Sequence, residues 1–191
     1  MRARLPILIL LLPFPALAQQ PQRADAIRWD YVAANLAVPD LDDLGVELEG
    51  STAVTERLVV FGNYRSFAPD SRVDRTSLQI GVGRLWNIRP RVELLASASY
   101  ADNEIDLPHR TIDEEGLILS GEVRGWVSPR FELSGAVMLD NSVSSSTETV
   151  LELGGQYFRV SNRSLGGRIR VDEDDTTLFL GAQFYFGASR R

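Results

Sequence analysis

The run Arg91-Val92-Glu93-Leu94-Leu95-Ala96-Ser97-Ala98-Ser99-Tyr100 decides the fold. Val92, Leu94, Ala96, Ala98 and Tyr100 share one parity. Glu93, Ser97 and Ser99 share the other, where Leu95 is the one apolar residue. A period of two belongs to an extended strand, whose successive side chains point to opposite faces. The same rhythm recurs on both sides of this run. Val46, Leu48, Gly50 and Thr52 alternate with Glu47, Glu49 and Ser51. Phe131, Leu133, Gly135, Val137 and Leu139 alternate with Glu132, Ser134 and Asp140. Leu178, Leu180, Ala182, Phe184 and Phe186 alternate with Gly181, Gln183 and Tyr185. Ten such segments are expected, near 27–36, 45–54, 57–66, 76–86, 91–101, 116–126, 130–140, 148–158, 163–171 and 176–186. None carries a capped helical period.

The connections alternate in length. Long ones fall near 37–44, 67–75, 102–115, 141–147 and 172–175. Short ones fall at Thr55-Glu56, 87–90, 127–129 and around Ser161-Asn162. Such alternation puts all long connections at one end of an up-and-down meander. The expectation is all-β: an antiparallel up-and-down transmembrane β-barrel of about ten strands, with eight as the alternative count. A soluble barrel has the same period with its apolar face turned in. Three features favour the membrane. Aromatic rings sit near the ends of the apolar faces, at Trp29, Tyr31, Tyr64, Trp86, Tyr100, Tyr157, Phe184 and Phe186, where amphipathic rings form interfacial girdles. The polar faces carry charges of both signs, which a narrow lumen must pair. These form the expected lumen charge network: Arg28, Asp30, Glu47, Glu49, Arg65, Glu93, Glu122, Arg124, Glu132, Glu152, Arg168 and Arg170. Finally, Gly181 followed by Phe184 and Phe186 resembles the terminal-strand signal read by the outer-membrane assembly machinery, with Gly187 to Arg191 as an extension beyond it.

Composition narrows the chemistry. The chain has 191 residues, no Cys, a single His, and a formal net charge of −6. All 20 basic residues are Arg. A disulfide scaffold, a cysteine nucleophile and a lysine Schiff base are thereby excluded. An acidic chain is poorly suited to a phosphate backbone, so nucleic acid is not an expected partner. Residues 1–18 read as a secretory leader: Arg2 and Arg4, the apolar run Leu5 to Leu12, and the small-x-small site Ala16-Leu17-Ala18. Residues 19–191 form the expected barrel domain. One residue resists the pattern. Keeping Leu78, Ile80, Val82 and Trp86 outward also turns Arg84 outward, unless a bulge at Gly81 or Gly83 reverses it.

The chain resembles the small proteobacterial outer-membrane barrels once described as a sulfation-dependent quorum factor. The carrying residues are Tyr31-Val32 leading into Asp40-Leu41-Asp42-Asp43, then Gly45-Val46-Glu47-Leu48-Glu49-Gly50-Ser51. Val60-Phe61-Gly62-Asn63-Tyr64, Gly81-Val82-Gly83 and the final Leu180-Gly181 to Phe186 strand complete them. The resemblance implies an outer-membrane or vesicle location, with links to biofilm and surface behaviour. It implies no enzyme chemistry.

His109 is the one imidazole, in the longest connection beside Asp113, Glu114 and Glu115. It reads as a solvated loop residue rather than a general base. Asp40-Leu-Asp42-Asp43 and Asp172-Glu-Asp174-Asp175 lack the spacing of a calcium hand and read as acidic loops, able at most to bind divalent cations weakly. Gly81-Val-Gly83 lies inside a strand and is no nucleotide fingerprint. No catalytic, cofactor or metal residue is therefore expected. The expected partners are outer-membrane lipid, lipopolysaccharide and the assembly machinery. The glycines at 81, 83, 154, 166 and 181 are expected to make room inside for the long charged arms, leaving no wide pore.

Overall fold

The structure is a computed structural model that describes residues 27–40, 44–67, 74–107, 109–142, 147–173 and 175–186. The expected leader, Asp42, Asp43, Asp70, Asp174 and the extension 187–191 lie outside the described residues. Ten strands follow one another in the chain. They are β1 (Tyr31–Pro39), β2 (Gly45–Ala53), β3 (Leu58–Phe67), β4 (Asp74–Arg89) and β5 (Val92–Leu107). Then come β6 (Arg110–Ser128), β7 (Phe131–Asp140), β8 (Glu148–Val160), β9 (Arg163–Val171) and β10 (Thr176–Tyr185). Each pairs antiparallel with its neighbours in sequence, and β1 closes on β10 through the register Tyr31↔Tyr185 to Pro39↔Thr177. Closure removes every exposed sheet edge inside a membrane, where unpaired backbone would be costly.

The alternation sorts the side chains as the period requires. Val32, Leu48, Leu78, Ile80, Leu151 and Leu153 are exposed on the outer face. Glu47, Ser97, Ser99, Arg124, Glu132 and Gln183 are buried inside. Apolar out and charged in is the inverse of a soluble barrel, and it identifies lipid as the surrounding solvent. Trp86, Phe131, Tyr157 and Phe186 are exposed near the short-turn end, and Tyr64 and Tyr100 nearer the other.

Two expectations about the strands need correction. Trp29 and Tyr31 do not join the girdle. Both turn inward and are 4% and 6% exposed. On β1 both parities are apolar, Val32, Ala34 and Leu36 against Tyr31, Ala33 and Ala37, so the period alone does not orient it. Second, residues 102–115 are not a loop. The β5–β6 ladder runs on through Asp102↔Glu115 to Leu107↔Arg110. Beyond the membrane the contrast inverts: the outward parity, apolar from Val92 to Tyr100, becomes acidic at Asp102, Glu104 and Asp106, while Ile105, Leu107 and Ile112 are half-buried on the other. The outward reading of Arg84 holds, without the alternative bulge: the β3–β4 and β4–β5 registers run unbroken past Gly81 and Gly83, shifting only between Asn87 and Arg89. Arg84 therefore stays on the outer face, where its guanidinium lies 5.3 Å from the Trp86 ring centroid.

Candidate functional site: a charged and corked lumen

Two tiers of side chains fill the interior. The upper one hangs on Arg168 of β9. Its Nη1 donates to Glu49 Oε2 (2.9 Å), its Nη2 pairs with Glu47, and its Nε lies 3.4 Å from Glu152 Oε2. Glu47 is fully buried and also accepts from Arg65 Nε (2.8 Å) and Asn35 Nδ2 (2.9 Å). Arg170 donates to Glu152 Oε2 through Nε (3.1 Å) and Nη2 (2.9 Å). The Phe179 ring supports both arginines, with their guanidinium carbons 4.6 and 5.3 Å from its centroid. Arg168 can hold three carboxylates because a planar fork presents several donors at fixed angles.

The lower tier sits at the short-turn end. Residues 27–30 precede β1 and enter the barrel mouth. Ile27 and Trp29 bury against Ala53, Val59, Leu85 and Leu95, with Trp126 at the margin. This explains why Leu95 and Leu85 occupy the inner parity. Beside this apolar cork, Tyr31, Phe158 and Tyr185 form an aromatic cluster, with Phe158 between Trp126 (4.6 Å) and Tyr185 (5.2 Å). Arg124 crosses the cork. It pairs with buried Glu132 at 2.5 Å, and its guanidinium lies 4.6 Å from the Trp29 ring centroid. Trp29 Nε1 donates to Glu93 Oε2 (2.7 Å). The Tyr31 hydroxyl donates to Glu49, which joins the two tiers.

The structure thus brings together most of the sequence-derived network: Glu47, Glu49, Arg65, Glu152, Arg168 and Arg170 above, and Glu93, Arg124 and Glu132 below. Glu122 faces inward on β6 between Ser120 and Arg124. Arg28 and Asp30 belong to the rim instead. Arg28 Nη1 donates to the Ser161 carbonyl (3.2 Å), and Asp30 Oδ1 accepts from Thr52 Oγ1 and the Ala53 amide (2.8 and 2.9 Å). The inner glycines yield their space to nearer neighbours. A side chain at Gly81 would meet the Phe61 ring at 2.4 Å, and one at Gly181 would meet Asn35 Oδ1 at 2.1 Å across the closing seam. Phe184 lies on the outer parity of the last strand, and Phe186, one residue past its end, is exposed. His109 is exposed at the β5–β6 tip. Among the described residues no three His, Asp or Glu side chains gather to hold a metal.

A closed antiparallel barrel with an apolar exterior and a paired, charged interior defines a class: the protein is a small transmembrane β-barrel of the outer-membrane type. Its residence is the outer membrane. No protein-family model matches the chain, and no curated protein matches it in sequence. Solved structures do match in shape. The KdgM porin superposes with a TM-score of 0.52 at 8% identity, covering 82% of this chain and 99% of that one. KdgM in complex with disordered oligogalacturonate gives 0.52 at 9% identity, with the same coverage. Ail, the attachment invasion locus protein of Yersinia pestis, gives 0.41 at 10% identity, covering 84% and 100%. At these identities the likeness is one of fold.

Proposed function

We propose that this chain is a closed, non-enzymatic outer-membrane barrel that acts through its outer surface. One observation carries the reading: the lumen is filled twice in series, by the Arg168 ion network and by the Trp29 cork. What the molecule offers the outside is an acidic crown, with Asp102, Glu104, Asp106, Asp113 and Glu115 exposed on the β5–β6 hairpin. The opposite end is basic, with Arg57, Arg89, Arg130, Arg159 and Arg163 exposed. Lipopolysaccharide and lipid are the neighbours this polarity meets, and the assembly machinery is the partner that outward Phe184 and exposed Phe186 suit. A surface or biofilm-related role, including carriage on vesicles, follows from the resemblance to the quorum-factor barrels and belongs to the same proposal.

Planar-bilayer recording of the purified chain tests the closed lumen. Little or no conductance is the expected result. Uniform, large, long-lived channels would establish the pore reading in its place, and neutralising Glu49 or Arg168 would then alter ion selectivity. His109→Ala is expected to leave the host's lipid profile and surface proteolysis unchanged, because the common nucleophile–base pairs need an imidazole and His109 is the only one. Loss of either activity would overturn the non-enzymatic reading.

A further inference from the structure

The outer face of a lipid-exposed barrel is usually ridged by large aliphatic side chains. On β10, β1, β2 and β3 that surface is hollowed instead. Ala182, Ala34, Gly50 and Gly62 form its floor, with Ala34 opposite Ala182 and Gly50 opposite Gly62 in register. Tyr64 and Ile80 wall one side, and Leu165 and Phe184 the other. The groove encloses about 1140 Å³ and is lined mainly by apolar atoms. Arg159 and Arg163 also line it, on either side of the Ser161-Asn162 turn. Both are exposed, and neither pairs with a carboxylate among the described residues. The Arg163 guanidinium stands 5.8 Å from the Phe184 ring centroid, over the groove wall.

We propose that this groove holds one glycerophospholipid of the periplasmic leaflet, acyl chains along the Ala/Gly floor and phosphate on Arg159 and Arg163. Short turns mark the periplasmic end of such barrels, so the two arginines lie at the headgroup level of the phospholipid leaflet. Guanidinium forks match phosphate oxygens in pairs, and basic residues at that level attract anionic headgroups. A second copy of the chain is the competing occupant, and charge opposes it. A two-fold axis along the membrane normal would bring each arginine pair against its own equivalent.

Native mass spectrometry of the full chain released from detergent tests this, with phosphatidylglycerol, phosphatidylethanolamine or phosphate-free diacylglycerol added. The expected result is one retained phospholipid per chain, and no retained diacylglycerol. Arg159→Gln/Arg163→Gln is expected to lower retention about tenfold, the scale of one charge-assisted contact. Gly50→Leu fills the floor where an added Cβ meets nothing within 4 Å, so it folds and is expected to abolish retention. Heat-modifiable gel mobility verifies folding of each variant. Equal retention of diacylglycerol, retention unchanged in both variants, or a lipid-free dimer would overturn the proposal.

Discussion

Arg168 on β9 reaches past β10 and β1 to pair with Glu47 on β2, 121 residues earlier in the chain. The pair therefore spans the seam where first and last strands meet. Both groups have left water, and the cost is offset because Glu47 also accepts from Arg65 and Asn35 while Arg168 also binds Glu49.

Breaking one side of that pair leaves a buried charge alone. Arg168→Met is expected to cost about 3–5 kcal/mol, the range for removing one partner of a buried ion pair. Adding Glu47→Gln should recover part of the loss, because the two changes share one interaction. Urea unfolding in lipid vesicles, followed by tryptophan fluorescence, measures both. Strict additivity would show that the two residues do not support each other.

On the proposed closed lumen, the two fillings act in series and either one alone is expected to keep it shut. Trp29→Ala is expected to destabilise by about 3–5 kcal/mol, as large buried aromatics do, and still to give no conductance. Arg168→Ala alone should also stay silent. The combined variant is expected to conduct in planar bilayers. A conducting single variant would identify that tier as the whole barrier.

Arg84 sits on the lipid face beside Trp86, near the short-turn end. A lipid-facing arginine costs about 2–4 kcal/mol at the midplane and about 0–1 near an interface. Arg84→Leu should therefore change stability by less than about 1 kcal/mol, while Ile80→Arg, deeper on the same face, should cost about 2–4 kcal/mol. Equal penalties at the two positions would show that depth is not what makes Arg84 tolerable.

In the β9–β10 connection, a hydrogen bond from Asp175 to the neighbouring Asp40 carboxylate raises the Asp175 carboxyl above its usual range, assisted by some burial. Asp40 also accepts from the Thr176 amide at 3.2 Å. A raised folded-state value favours the protonated form. The contribution to stability is therefore complete below the unfolded carboxyl range and fades as pH rises through the folded one. Exchange of the Thr176 amide, corrected for intrinsic rates, is expected to slow as pH falls from neutrality through the carboxyl range. Asp175→Asn should flatten that dependence. An unchanged profile in the variant would assign the effect elsewhere.

The barrel itself was legible because lipid outside and charge inside stamp a period of two on most strands. Glu47, Glu49, Arg65, Glu152, Arg168 and Arg170 could be grouped by parity alone, without knowing which pairs they form. The cork could not. Ile27 and Trp29 precede the first strand, and β1 is apolar on both parities, so aromatic placement at an interface was the stronger guide and it misled. The signal was present at Asn35, whose amide shares parity with Tyr31 and lies opposite Glu47. Leu85 and Leu95, odd on a polar face, were a second trace of an apolar interior at that end. The β5–β6 extension was hidden for a different reason: its outward parity turns from apolar to acidic after Tyr100, and a run of carboxylates reads as a loop even though Ile105 and Leu107 keep the period of two.

That extension gives the molecule a shape the membrane did not impose. β6 has 19 residues, and a tilted crossing uses about 9–11. Its pairing with β7 begins only at Ile118, so Arg110–Leu117 forms a ladder with β5 alone, and β5 in turn pairs with β4 as far as Asp74↔Asp106, which carries three strands above the rim on this side. The barrel is lopsided in height. Among the described residues, the last pair of this extension, Leu107 and Arg110, is reached from the long-connection side ahead of the wall that β7 to β10 form below it.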